Sequence, residues 1–228
     1  MKIIELRGVA KKYRRKTVFS NLSLGFESGK IYLLVGENGS GKTTLIKGVI
    51  GLLRFSAGRF YRSPARYAFL PEKIALPETV TVYAFLANIG KIKKTADAGE
   101  KIMSLLEEWN VDGTKKIKEL SKGMRQKVLI IQTLLSDVDL YLFDEPMSGL
   151  DAESRSRFLS LVRRLREAGK TLIISTHYPD LYPGDEIILL AGEEDDVFNQ
   201  MSSELSIEQT RGRDSHGCRR HRFFCLRD

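Results

Sequence analysis

The sequence predicts an α/β protein: a mainly parallel sheet flanked by helices, with an N-terminal antiparallel β-subdomain and an inserted helical subdomain. Two patterns carry that expectation. Short apolar runs, IYLLV (31–35), RYAFL (66–70), LYLFD (140–144) and TLIIST (171–176), alternate with segments of helical period, as parallel strands between covering helices require. A glycine-rich stretch, GENGSGKT (36–43), joins the first run to a helical segment, where the chain must turn tightly.

Each element has its own signal. IIEL and LSLGFE near the start read as strands of a small antiparallel sheet. In KTTLIKGVIGLL, Leu45, Ile46, Val49, Ile50 and Leu53 share one helical face. From about Glu72 to Leu120 the strand signal fades, and TVTVYAFLANIGKI and AGEKIMSLLEEWNV read as amphipathic helices. LSKGMRQK (120–127) looks like a capped start to a third helix. After Asp151, Phe158, Leu159, Val162 and Leu165 recur at helical spacing, and Gly169 is a natural stop. The expected organisation is one domain over residues 1–190, with a helical insertion at about 73–136, then a tail over 191–228 that is acidic (GEEDD) and then arginine-rich.

Composition narrows the function classes. The 228 residues suffice for a substantial core, and 42% hydrophobic with 29% charged residues is a globular balance. The start, MKIIELRGVAKKY, has no apolar signal region. No run approaches the ~18 apolar residues of a membrane span; the longest, from Val128, is broken by Gln132 and Thr133. A role at a membrane therefore calls for a partner that supplies the span. Both cysteines, Cys218 and Cys225, fall in the tail, which fits a reducing compartment rather than a disulfide framework. The net charge of +8 is gathered largely in KKYRR and in six arginines after residue 210. A solvated surface or an anionic membrane face explains that as well as nucleic acid does.

GENGSGKT satisfies the phosphate-loop pattern in full. Its glycines (Gly36, Gly39, Gly41), Asn38 and Ser40 let successive N–H groups and the helix N-terminus face phosphates. Lys42 reaches the β- and γ-phosphates, Thr43 offers a hydroxyl to Mg²⁺, and Thr44 continues the binding turn. LYLFDEP supplies the second element: Asp144, at a strand end, can hold the metal, and Glu145 is placed to deprotonate water.

With GENGSGKT, LSKGM, LYLFDEP, SGLD and STH in that order, residues 1–190 resemble the ATP-binding subunits of ABC transporters. The resemblance implies a P-loop NTPase core with ATP and Mg²⁺ as cofactors. It implies that Tyr13 stacks on adenine, that Asp151 in SGLD belongs to a loop facing a second subunit, and that His177 contacts the γ-phosphate. Ser121 and Gly123 would present donors to ATP held by the opposite subunit, in a homodimer or heterodimer. Asp151 also reads as a helix N-cap, and Tyr13 as a surface tyrosine.

Two motifs depart from the pattern. Lys122 and Met124 stand where the signature carries glycine and glutamine, leaving Ser121 and Gly123 intact. Glu72, in FLPEK, replaces a glutamine that senses the metal; a carboxylate still ligates Mg²⁺. The LPE version resembles that of exporters, which favours export. In the tail, His216, Cys218, His221 and Cys225 offer zinc-type donors at irregular spacing; a disordered basic tail is the favoured reading.

The expectation is an ATP hydrolase, peripheral on the cytoplasmic face of a membrane, powering transport by separate membrane-spanning subunits. The alternative is a soluble ATPase of the same type acting in cluster assembly or on nucleic acid; nucleic acid is not an expected partner.

Overall fold

The computed structural model describes residues 1–14, 16–191 and 220–225. β1 (Lys2–Tyr13) and β2 (Lys16–Glu27) form an antiparallel hairpin, extended by β4 (Ala57–Arg62) into a three-stranded sheet ordered β2-β1-β4. The second sheet is parallel throughout: β5 (Tyr67–Leu70), β6 (Leu140–Asp144), β7 (Thr171–Ser175), β3 (Ile31–Val35), β8 (Glu186–Ala191) and β9 (Arg220–Cys225), in that spatial order.

Helix α1 (Lys42–Val49) follows β3; α2 (Val82–Lys93), α3 (Ala98–Glu108) and α4 (Lys122–Leu134) lie between β5 and β6; α5 (Ala152–Glu167) joins β6 to β7. Side-chain hydroxyls or carboxylates start three of them. Thr81 accepts from the Ala84 N–H at 3.2 Å, Ser121 from Met124 at 3.2 Å and Asp151 from Ser154 at 2.7 Å.

The central strands are apolar on both faces because both faces are covered. Alternate residues divide them. Tyr32, Leu34, Leu142, Ile173 and Ile188 pack with α1 and with Ile4, Leu6, Phe19 and Phe26 of the antiparallel sheet. Leu33, Val35, Phe143, Leu172 and Ile174 face the other way, onto α2–α4 and onto Phe158 and Val162 of α5. The sheet is thus sandwiched, and its C-terminal edge is where β3 and β6 deliver Gly36 and Asp144.

Three strands lie outside the sequence reading. β4 (AGRFYR) is exposed almost throughout, so it carries no alternation to read. β8 is an apolar run between β3 and the edge. β9 pairs in register with β8, Glu186 opposite Arg220 through Ala191 opposite Cys225, a backbone event that an arginine-rich sequence does not advertise. His216 and Cys218 lie outside the described residues, as do the side chains of His221 and Cys225, and with them the zinc reading.

Candidate functional site

The loop between β3 and α1 has the geometry its glycines allow. A Cβ on Gly36 would come 2.1 Å from the Leu190 carbonyl oxygen. Gly41, the N-cap of α1, has φ 94°, and a Cβ there would meet Val18 at 2.8 Å; both the left-handed backbone and the crowding call for glycine. Lys42 is buried, with Nζ donating to the carbonyls of Gly36 at 2.6 Å and Glu37 at 3.0 Å. Ser40 Oγ is enclosed and lacks a hydrogen-bond partner among the described residues, so a phosphate oxygen would satisfy it.

Thr43 begins the same helix, and its hydroxyl donates to Asp144 Oδ2 at 2.7 Å across the sheet edge. Asp144 is buried, and its other oxygen accepts from the Ser175 hydroxyl at 2.6 Å. A hydroxyl and a carboxylate, both hard oxygen donors, already converge here, which fits Mg²⁺. Glu145 follows at φ 47°, a left-handed conformation unusual for glutamate. Its N–H donates to Ser175 Oγ at 2.8 Å, and its Oε1 lies 3.2 Å from His177 Nε2 and 3.9 Å from Lys42 Nζ. Burial raises the Glu145 carboxyl above its usual value; the fields of His177 and Lys42 oppose that shift, while Asp144 and Glu72 add to it.

A cavity of about 280 Å³ gathers Tyr13, Lys42, Thr43, Glu72, Asp144 and Glu145, with Asn38, Gly39, Gly41 and Thr44 along its wall. Glu72 is half-exposed and sits 3.3 Å from Lys73 Nζ. Tyr13 does not stand alone: Lys11 Nζ lies 4.6 Å from its ring centroid and donates to the Arg54 carbonyl at 2.8 Å. Lys11 does not line the cavity that Tyr13 lines. Held at the Arg54 carbonyl, the cation stays against the ring.

His177 reaches the site through Glu145, from a neighbouring cavity of about 300 Å³ that also holds Ser148 and Gly149. Ser121, Gly123 and Asp151 line neither cavity. Ser121 caps α4, and a Cβ on Gly123 would come 2.6 Å from the Gly149 carbonyl. Gln126 donates to the Pro146 carbonyl at 2.9 Å, and Lys127 Nζ lies 3.7 Å from Asp151. The start of α4 is thus fastened to the 146–151 segment directly after Glu145. Ser175 and Lys11 were not among the sequence-predicted residues. The one signal for Ser175 is a hydroxyl ending an otherwise apolar strand.

A phosphate-binding loop at a helix N-terminus, a buried hydroxyl–carboxylate pair and a carboxyl with raised proton affinity define a nucleoside triphosphate hydrolase site. The comparisons agree. The ABC transporter family profile matches residues 19–148. A manganese transport system ATP-binding protein of Listeria monocytogenes is 31% identical over 191 residues, 76% of this chain and 80% of that protein. A zinc import ATP-binding protein of Pseudomonas fluorescens is 31% identical over 170 residues, 72% of this chain and 63% of that protein. A solved ATP-binding subunit of an ABC transporter superposes with a TM-score of 0.76 at 26% identity, over 91% of this chain and 99% of the other. The chain belongs to the ABC transporter family. It is an ATP-binding, ATP-hydrolysing subunit of the kind that powers transport.

Proposed function

We propose that the chain hydrolyses MgATP on behalf of separate membrane-spanning subunits, as a peripheral protein of the cytoplasmic face that dimerises when ATP binds. The observation that carries this reading is the convergence of Lys42, Thr43, Asp144 and Glu145 on one cavity that Tyr13 also lines. Tyr13 stacks the base, the loop amides and Lys42 hold the phosphates, and Glu145 takes a proton from the attacking water. Thr43, Asp144 and Glu72 would hold Mg²⁺, which neutralises phosphate charge when bound. His177, against Glu145, positions the γ-phosphate. Ser121, Gly123 and Asp151 stand apart from this cavity, in keeping with a role toward nucleotide on a second subunit, homologous or identical.

Export is supported by Glu72 alone. The relatives named for manganese transport and zinc import support uptake of a divalent metal ion, and whole-domain similarity outweighs one carboxylate. Among the described residues no helix is long and apolar enough to cross a membrane. The test is to tag the protein in its native cell, solubilise membranes gently and identify what copurifies by mass spectrometry. A polytopic membrane protein in near-stoichiometric yield is expected, and its sequence would narrow cargo and direction. Recovery with soluble partners or nucleic acid only would overturn the transport reading and leave the ATPase standing.

A further inference from the structure

The opposite end of the parallel strands carries a second basic feature. A groove of about 690 Å³ opens where β5 and β6 begin, lined by Arg66, Lys93, Lys94, Thr95, Lys101 and Asp137 among others. It lies about one five-residue strand, roughly 16 Å, from the edge that holds Asp144.

Four cations face one carboxylate here, and Asp137 is already engaged by Lys170 at 2.6 Å. Part of this charge has a structural use. Helix α4 has no basic residue in its last turn, and Lys93 Nζ donates to the Gln132 carbonyl at 2.8 Å while Lys101 Nζ donates to Leu135 at 3.2 Å. These bonds satisfy carbonyls at a helix end. They leave three features over. Arg66 and Lys94 are exposed and form no ion pair within 4 Å among the described residues, although the field of Arg66 reaches Asp137. Thr95 Oγ1 is enclosed on the groove wall without a hydrogen-bond partner among the described residues. Each lysine also keeps ammonium donors beyond the one its carbonyl takes. Burial, and secondarily Lys101, lowers the proton affinity of Lys93, a cost that a bound anion would relieve.

We propose that this groove binds a phosphate group, presented either by a free phosphate compound or by a lipid headgroup. Ammonium, guanidinium and hydroxyl donors converge with one committed acceptor, the donor set that a compact dianion needs. The negative end of α4 opposes an anion with about half a charge, which four cations outweigh. Such a ligand would bridge the α2–α3 turn to the end of α4, the helix whose other end carries Ser121. The proposal stands independently of how the nucleotide is used.

The protein is saturated with ADP, so that the phosphate loop is filled, and titrated with pyrophosphate by calorimetry at low salt. One additional binding event is expected, weakened about tenfold or more in the double variant Arg66→Ser, Lys94→Ser, with ADP affinity unchanged. Absence of that event, or its persistence in the double variant, overturns the proposal. Flotation with phosphatidylcholine vesicles containing phosphatidic acid then assigns the source. Flotation lost in the double variant and competed by pyrophosphate means a headgroup; no flotation, with pyrophosphate still bound, means a free phosphate compound.

Discussion

Ser175 donates its hydroxyl to Asp144 and receives the N–H of Glu145, at 2.6 and 2.8 Å. One buried hydroxyl at the end of β7 thereby orients both acidic residues at the end of β6. It holds the Asp144 carboxylate toward Thr43 and anchors Glu145 in its left-handed conformation.

Removing that hydroxyl leaves Asp144 Oδ1 and the Glu145 N–H without their shared partner. Ser175→Ala is therefore expected to lower ATP turnover or raise the Mg²⁺ concentration for half-maximal rate by ~10–100-fold, the range for losing a partner that orients a metal-binding carboxylate. Turnover measured across a Mg²⁺ titration checks this. An unchanged curve would mean that the bond is only structural.

Glu145→Gln is expected to abolish steady turnover while keeping ATP binding, and to trap an ATP-bound dimer, which size exclusion with and without ATP would show. Normal turnover in this variant would remove Glu145 as the base. Its pH dependence follows from burial, which raises the carboxyl in the fold. A protonated Glu145 cannot accept from water, so wild-type turnover should fall with acidification at a higher pH than an ordinary carboxylate would impose.

The same shift has a stability sign. The folded state binds the Glu145 proton more tightly than the unfolded chain, so that contribution is full below the unfolded value and lost as pH rises through the raised one. Glu145→Gln should then melt above wild type at neutral pH, with the difference closing below about pH 4. Melting curves across pH would decide it; equal midpoints at neutral pH would argue that Lys42 and His177 cancel the burial cost.

Lys11 holds its cation 4.6 Å from the Tyr13 ring centroid and does not line the cavity. An exposed cation–π contact is worth about 0.5–1 kcal/mol, so Lys11→Gln should raise the KM for ATP about two- to fivefold with kcat unchanged. Lys11→Arg should restore it. A fall in kcat instead would place Lys11 in general folding rather than base positioning.

Gly48, inside α1, sets two effects against each other. Alanine gains about 1 kcal/mol of helix propensity. Its Cβ, however, would lie 2.5 Å from the Phe55 ring, which packs against Phe19 and Phe60 at centroid distances of 6.2 and 5.6 Å. Overpacking costs about 1–3 kcal/mol, so Gly48→Ala should lower the melting temperature. A rise would show that Phe55 moves freely.

The four apolar runs became β3, β5, β6 and β7, with ends moved by at most one residue. β3, β6 and β7 are mainly apolar because both faces are covered, whereas the edge strand β5 buries Ala68 and Leu70 and leaves Tyr67 exposed. The helical periods between 72 and 134 and after Asp151 likewise became helices. β4 escaped reading because its exposed residues carry no pattern, and β9 because strand pairing is made by backbone groups, which an arginine-rich sequence does not advertise.

The phosphate-loop motif was legible because its residues are contiguous: the glycines, Lys42 and Thr43 lie within one short stretch of chain. The order of the motifs also lay in the sequence, and so did Asp144 and Glu145 as neighbours at a strand end. What only the tertiary structure decided is which distant groups share that edge. Ser175 meets Asp144 because β7 lies beside β6 in register; Lys11 meets the Tyr13 ring while anchored on the Arg54 carbonyl; and Ser121, Gly123 and Asp151 line no part of the cavity. Parallel pairing joins residues tens of positions apart through uniform backbone hydrogen bonds, and no local pattern of side chains encodes which strand will be the neighbour.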